Sequence, residues 1–86
     1  MMYLARNQQQ LGNVIRRHRQ KCGYTQAALA ELAGVRQGTI SMIESGSTDA
    51  RIDTLFTVLA ALNLEFQVAQ RTQIELEAII DDEILD

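Results

Sequence analysis

The sequence predicts an all-α domain of four to five short helices, followed by one short strand near the C-terminus. Three observations indicate this fold class. Apolar side chains recur every three or four positions through much of residues 8–62, which is the period of amphipathic helices. Gly23, Gly34 and Gly46 interrupt that pattern and mark short turns. At 64–69 apolar residues alternate with polar or small ones, which is the period of a half-buried strand.

The first helix is expected over about 8–22 and the second over 26–33. Asn7 and the glutamine three residues after it have the spacing of a capping box at the start of the first helix. Gly23 can adopt the left-handed conformation that ends this helix. Thr25 is a good N-cap for the second helix, so only a short turn separates the two.

The third helix is expected over about 36–45, and the fourth over about 51–62. Ala30 is small where the second and third helices must approach closely, so a larger side chain there should push them apart. The core between these two helices is expected to consist of Leu29, Leu32, Val35, Ile40 and Ile43. The buried side of the fourth helix is expected to carry Ile52, Leu55, Phe56, Leu59 and Leu62.

Eighty-six residues, 47% of them hydrophobic, allow a single domain, because a chain this short cannot bury two separate cores. The sequence divides into an N-terminal arm over 1–7, the helical domain over 8–62, a strand segment over 63–71 and an acidic tail over 72–86. The strand has no second strand to pair with in the chain. We therefore expect Leu64, Phe66 and Val68 to pair with the same segment of a second copy, in a homodimer.

The formal net charge of −3 argues against a nucleic-acid partner, but the charge is unevenly distributed. Residues 1–51 carry a net charge of +4, and residues 52–86 carry −7. A basic surface is the usual electrostatic footprint of DNA binding. The two halves of the chain are therefore expected to serve different partners.

The sequence contains no pattern typical of an active site. Cys22 is the single cysteine, so no intramolecular disulfide is possible. His18 lies on the apolar stripe of the first helix without a second histidine, which favours a packed core residue over a ligand. Metal-ligand clusters and glycine-rich phosphate loops are missing from the sequence. Neither a membrane span nor a secretory signal is recognisable. We expect a cytoplasmic protein with no metal, no cofactor and no enzymatic activity.

The second and third helices have the helix-turn-helix arrangement, in which the second of two short helices lies in the major groove of DNA. The stretch GYTQAALAELAGVRQGTISMIESG, residues 23–46, resembles the Xre or Cro/cI family of helix-turn-helix domains. The resemblance extends over residues 11–62. It implies a Cro/cI-like domain that binds double-stranded operator DNA as a sequence-specific repressor.

Seven residues are expected to contact DNA: Gln26, Arg36, Gln37, Gly38, Thr39, Ser41 and Met42. Gln37 matches the position from which related repressors read bases, and a glutamine amide pairs with N6 and N7 of adenine. Gln26 matches a backbone contact of the family, at a helix N-terminus that favours a phosphate. Arg36 is placed to reach either guanine or a phosphate, and Gly38 allows the backbone to approach DNA closely.

Several of these positions also have a plainer interpretation. Thr39 is more often a packing or capping hydroxyl than a base reader, and Ser41 is an even choice between a phosphate contact and solvated surface. Met42 is either a contact to a thymine methyl group or a neutral surface residue. The resemblance implies that Glu44 pairs within the domain. The arginines at 16–19 are expected on the solvated face of the first helix.

The segment LNLEFQVAQR after the fourth helix resembles the HipB-type antitoxins of bacterial toxin–antitoxin operons. This resemblance implies an antitoxin that represses its own operon and binds a HipA-like kinase toxin. Four apolar residues of the acidic tail are expected to contribute to that partner contact: Leu76, Ile79, Ile80 and Ile84. A frayed, solvated tail is the alternative. Two further functions stay open at this point. One is a free-standing repressor of the phage or restriction-modification controller type without a toxin, and the other is a protein-interaction module with vestigial DNA binding.

Overall fold

The computed structural model describes residues 2–47 and 49–71. In this part of the chain there are four helices, and their bounds are α1 (Gln8–Lys21), α2 (Gln26–Ala33), α3 (Gln37–Ser45) and α4 (Ile52–Ala61). The four predicted helices are confirmed, with boundaries that differ by at most one residue at either end. No helix in the described part is long and apolar enough to cross a membrane.

The helix starts follow the capping residues that the sequence predicts. The side chain of Asn7 accepts a hydrogen bond from the backbone N–H of Gln10 at 2.8 Å, and Thr25 Oγ1 accepts one from Ala28 N at 3.0 Å. The reciprocal half of the capping box is displaced by one residue, since Gln10 Oε1 accepts from the backbone of Arg6 at 2.7 Å. Each of these bonds satisfies an N–H group that the helix itself leaves unpaired.

The end of α4 is a left-handed cap that does not use glycine. Asn63 has φ 60°, a conformation that asparagine tolerates better than most residues. Asn63 N donates to Ala60 O at 2.9 Å, and Leu64 N donates to Leu59 O at 2.8 Å. This pair of bonds is the Schellman pattern. The fourth helix therefore ends within one residue of the predicted boundary.

The core lies where α3 packs against α1 and α2, and α2 packs against α4. Among the described residues the buried hydrophobic side chains are Ile15, Leu29, Ala30, Ala33, Ile40, Ile43, Val58, Leu59 and Leu62. They come from all four helices. Ala30, the small residue predicted at the approach of α2 and α3, is buried in this core.

Three predicted core residues are in fact largely exposed: Leu32 at 57%, Ile52 at 62% and Phe56 at 54%. In α2 the buried positions are 29, 30 and 33, which lie on one side of an eight-residue helix, so Leu32 falls on the other side. In α4 the packed stripe runs through positions 55, 58, 59 and 62. Val58, which was not predicted, takes the core position instead of Phe56.

The prediction of a strand at residues 64–69 is wrong. No strand occurs in the described residues, and this segment has no regular secondary structure. A strand needs a hydrogen-bonded neighbour, and packed helices offer no free row of backbone groups. The segment instead folds back on α4, where the rings of Phe66 and Phe56 meet edge to face with centroids 5.1 Å apart.

His18 is half-buried, and the N-terminal arm covers it rather than the core. The hydroxyl of Tyr3 lies 2.9 Å from His18 Nδ1, and the two rings meet edge to face at 5.6 Å. The arm is thereby attached to α1. The expectation of a core histidine is corrected to an arm contact.

Candidate nucleic-acid interface

The outer face of α3 carries the residues that were predicted to read DNA. Gln37, Gly38, Ser41 and Met42 are exposed, whereas Ile40 and Ile43 of the same helix are buried beneath them. Thr39 is half-buried at the edge of this face. A short helix with one polar, exposed side and one packed side fits the width of a major groove.

Arg36 is the residue from which α3 begins. Its backbone is extended at φ −79° and ψ 151°, and its side chain makes no capping hydrogen bond. The guanidinium is exposed and belongs to the same surface as Gln37. Arginine therefore does not cap α3, and its side chain is exposed to solvent.

Among the described residues, nothing requires glycine at position 38. A Cβ added there meets no atom within 4 Å, and its φ is not in the left-handed range. Glycine in a helix costs about 1 kcal/mol relative to alanine. Its presence on the exposed face of α3 is therefore not explained by packing inside the molecule.

A buried ion pair supports α3 from behind. Arg19 Nε donates to Glu44 Oε2 at 2.7 Å, and Arg19 Nη2 donates to Glu44 Oε1 at 3.1 Å. Arg19 is 8% exposed and Glu44 is 3% exposed. Arg19 Nη1 also donates to the carbonyl oxygen of Tyr24 at 2.8 Å. The expectation that Glu44 pairs within the domain agrees with this geometry.

Arg19 is a residue that sequence reasoning missed, because it was assigned to the solvated face of the first helix. A positional signal was available. Gly12, Ile15 and Arg19 are the buried positions of α1, and they are spaced as one helical stripe. An arginine on that stripe requires a buried carboxylate, and Glu44 supplies it.

Gly12 is the second residue that was missed. A Cβ at this position would overlap the carbonyl oxygen of Ile43 and would lie 2.7 Å from that of Glu44. The backbones of α1 and α3 therefore touch directly. This contact places the buried carboxylate of Glu44 next to α1, where Arg19 can reach it.

Gln26 is the first residue of α2 and is half-buried. Its Nε2 donates to Glu44 Oε1 at 3.0 Å. The predicted phosphate-contacting side chain is thus joined to the buried ion pair. It also lies at a helix N-terminus, where unpaired N–H groups favour an anion.

The connection from α3 to α4 is tied to the start of α1. Gln8 Nε2 donates to Asp49 Oδ1 at 2.9 Å. At the start of α4, Arg51 makes two hydrogen bonds to Asp53, at 3.0 and 3.1 Å. Hydrogen bonding by this guanidinium lowers the pKa of Asp53, even though both groups are exposed to water.

The predicted dimer residues lie at the other end of the chain. Leu64 and Phe66 are half-buried, and Val68 is fully exposed. The predicted partner contacts Leu76, Ile79, Ile80 and Ile84 lie outside the described residues. In the described part of the chain no cluster of side chains has the composition of a metal site.

Comparisons with known proteins agree with this geometry. The family model described as Helix-turn-helix matches residues 15–68 of the chain. Antitoxin HipB of Escherichia coli O6:H1 is 33% identical over 69 residues, which is 80% of this chain and 73% of that protein. The solved "HipB-O4 20mer complex" contains a chain with TM-score 0.76 and 30% identity, and the match covers 83% of this chain and 100% of that one. The solved "HipA-HipB-O2-O3 complex" gives TM-score 0.75 at 30% identity, with coverage of 83% and 100%.

The matched region contains all of α2, α3 and α4 and the second half of α1. The fold and the exposed face of α3 define a helix-turn-helix DNA-binding regulator. The chain belongs to the helix-turn-helix family, and within that family it is HipB-like in both sequence and structure.

Proposed function

We propose that this protein is the antitoxin of a toxin–antitoxin operon, which represses the operon by binding its operator and also binds a HipA-like kinase toxin. One observation carries the proposal. The face of α3 that carries Gln37 is exposed, and a buried ion pair supports this helix from its inner side. The fold matches that of the chain in the solved HipB-O4 complex. The antitoxin function is taken from the similarity to HipB, and the DNA contact from the face itself.

In the proposed complex α3 enters the major groove. Gln37 reads adenine through its amide, and Arg36 donates to guanine or to a phosphate. Gly38 lets the helix backbone approach the groove. Ser41 and Thr39 contact the phosphate backbone, and Met42 contacts a thymine methyl group. Gln26 donates to a phosphate at the N-terminus of α2.

We further propose that two copies associate through residues 64–69. Val68 is an apolar side chain that lies entirely in solvent, and Phe66 is only partly covered by Phe56. Contact between two such segments about a two-fold axis would cover both. It would also present two copies of α3 to successive major grooves, about 34–36 Å apart, and so favour a palindromic operator.

The proposed kinase contact rests on the similarity to the HipB chain of the HipA-HipB-O2-O3 complex. The acidic tail is the segment to which we assign it, through Leu76, Ile79, Ile80 and Ile84. Six acids and no base lie between residues 74 and 86. Such a segment is repelled by the phosphates of DNA, so we assign it to a contact with protein rather than with DNA.

The DNA contact is tested by fluorescence anisotropy on the DNA upstream of the gene, with a scrambled duplex for comparison. Gln37→Ala should weaken specific binding by about 1–3 kcal/mol and leave non-specific binding nearly unchanged, because it removes a base contact and no charge. Gln20→Ala, which changes an exposed glutamine of α1, is the matched control. An equal loss on both duplexes would contradict base reading by Gln37. A wild-type protein that does not distinguish the two duplexes would support the vestigial alternative.

The partner is tested by reading the neighbouring genes and, where one encodes a HipA-like kinase, by co-purification of that kinase with the full chain and with a chain without residues 74–86. The proposal expects the full chain to bind the kinase and the shortened chain to lose it, while both retain operator binding. Unchanged kinase binding by the shortened chain would contradict the role of the tail. Operator binding with no adjacent kinase gene would favour a free-standing repressor.

A further inference from the structure

The buried ion pair has a third member that reaches the surface. Glu44 Oε1 accepts one hydrogen bond from Arg19 Nη2 at 3.1 Å and another from Gln26 Nε2 at 3.0 Å. Arg19 and Glu44 are buried, whereas Gln26 is half-buried at the first position of α2. The network therefore runs from the interior of the domain to a side chain at a helix N-terminus.

We propose that Glu44 is a positioning residue for DNA binding, because its carboxylate holds the amide of Gln26 with Nε2 ready to donate to a phosphate. This inference rests on the proposed function, in which Gln26 contacts the DNA backbone. Glu44 itself touches no DNA in this arrangement. It acts only through the glutamine.

The chemistry of the two groups fixes the orientation of the amide. An ionised carboxylate only accepts hydrogen bonds, whereas a glutamine amide carries an accepting oxygen and a donating nitrogen with two N–H groups. The atom facing Glu44 must therefore be Nε2. One of its N–H groups goes to Glu44, and the other serves the phosphate. The reversed amide would place its oxygen against Glu44 and is excluded by repulsion.

Arg19 keeps the carboxylate itself in place. Its guanidinium bonds both oxygens of Glu44 and also donates to the carbonyl oxygen of Tyr24, two residues before Gln26. The same arginine thus fixes the carboxylate and the chain that leads into α2. Because the donor is positioned before DNA arrives, binding need not order the Gln26 side chain.

A purely structural ion pair would predict something different. Such a pair stabilises the fold, and its loss would lower DNA affinity through α3 as a whole, regardless of Gln26. If Glu44 instead acts by positioning Gln26, changing Glu44 should lower DNA affinity only through the contact of Gln26 with the phosphate. A double-mutant cycle separates the two, because residues that act through each other are not additive.

The experiment measures operator affinity for the full-length protein with Gln26→Ala, Glu44→Gln and both changes together, under conditions where urea unfolding shows each variant to be folded. Loss of one hydrogen bond predicts a decrease of about 3- to 10-fold for each single variant. The double variant should bind within about 2-fold of Gln26→Ala alone. A matched cycle of Glu44→Gln with Gln37→Ala should be additive, since the hydrogen bonds of the Glu44 side chain go to Arg19 and Gln26 and not to Gln37.

Additive losses in the Gln26 cycle, or coupling in the Gln37 cycle, would overturn the inference and leave Glu44 as a structural residue. If Glu44→Gln does not fold, the side-chain amide signals of Gln26 in the wild-type protein decide by NMR. One N–H should be shifted downfield in the free protein, and the second should shift only when the operator is added. No such second shift would refute the role. Failure of the wild-type protein to bind its operator specifically would instead refute the proposed function, so the two failures are distinguishable.

Discussion

Replacing Gly12 with alanine tests whether α1 and α3 pack through direct backbone contact. The new Cβ would overlap Ile43 O and would lie 2.7 Å from Glu44 O and 2.9 Å from Glu44 C. All three are backbone atoms, which cannot rotate away as the end of a side chain would. Ordinary Cβ contacts begin at 3.4 Å, so the two helices must separate by about 1 Å.

Two opposing effects set the magnitude. Alanine is favoured over glycine inside a helix by about 1 kcal/mol. Overpacking costs about 1–3 kcal/mol, and more where the neighbours cannot yield. Separation of the helices also stretches the buried bonds between Arg19 and Glu44, which weakens an ion pair that has no water to replace it. We therefore expect Gly12→Ala to lower the free energy of unfolding by about 2 kcal/mol net.

The measurement is thermal and urea unfolding followed by circular dichroism. A loss of about 2 kcal/mol corresponds to a decrease in Tm of roughly 8–16 °C for a domain of this size. Gly38→Ala is the matched control, because its Cβ meets no atom within 4 Å, and it should raise the stability by about 0.5–1 kcal/mol. A Gly12→Ala protein as stable as the wild type would refute the close packing of α1 on α3.

Three further predictions concern the core, the interface and the dimer. Leu29→Ala should cost about 2–5 kcal/mol in urea unfolding, whereas Leu32→Ala, at a side chain that is 57% exposed, should change stability by less than about 0.5 kcal/mol. Equal losses would contradict the packing of α2. Arg36→Ala should reduce the slope of log Kobs against log salt by about 1 if Arg36 neutralises a phosphate, and leave it unchanged if the contact is to guanine alone. Val68→Asp should give monomers in sedimentation velocity that keep the wild-type helix content by circular dichroism, because Val68 is fully exposed in its own chain and the change removes no packing there. Leu32→Asp is the matched control, and a Val68→Asp dimer would refute the proposed self-contact.

The helices were predictable because their signals are local. Asn7 and Thr25 cap α1 and α2 through bonds to residues only three positions away, and sequence spacing is enough to identify such bonds. The outward face of α3 also follows from helical periodicity. Gln37 and Ser41 are exposed for the same reason that Ile40 and Ile43 are buried.

What was predicted wrongly depends on contacts between distant parts of the chain. Leu32 and Phe56 were expected in the core because they fit an apolar period, yet the neighbouring helices cover other sides of α2 and α4. Arg19 was expected at the surface because charged residues usually lie there. It is buried instead, because its guanidinium donates a hydrogen bond to the carboxylate of Glu44, 25 positions away. The strand was expected from its alternation, but alternation does not supply the hydrogen-bonded neighbour on which a strand depends.

The net charge of the chain is a poor guide to how this domain would recognise DNA. Arg19 and Arg51 belong to the basic N-terminal half, but both are bound to carboxylates within the chain. Fewer cations therefore serve phosphates than the sequence count suggests. The proposed contacts combine one cation, Arg36, with neutral amides at Gln26 and Gln37, and the amides donate and accept hydrogen bonds without releasing counterions. An interface with few cations gains less affinity for random DNA than the basic half of the chain suggests, so a base contact such as that of Gln37 carries more of the discrimination between sequences.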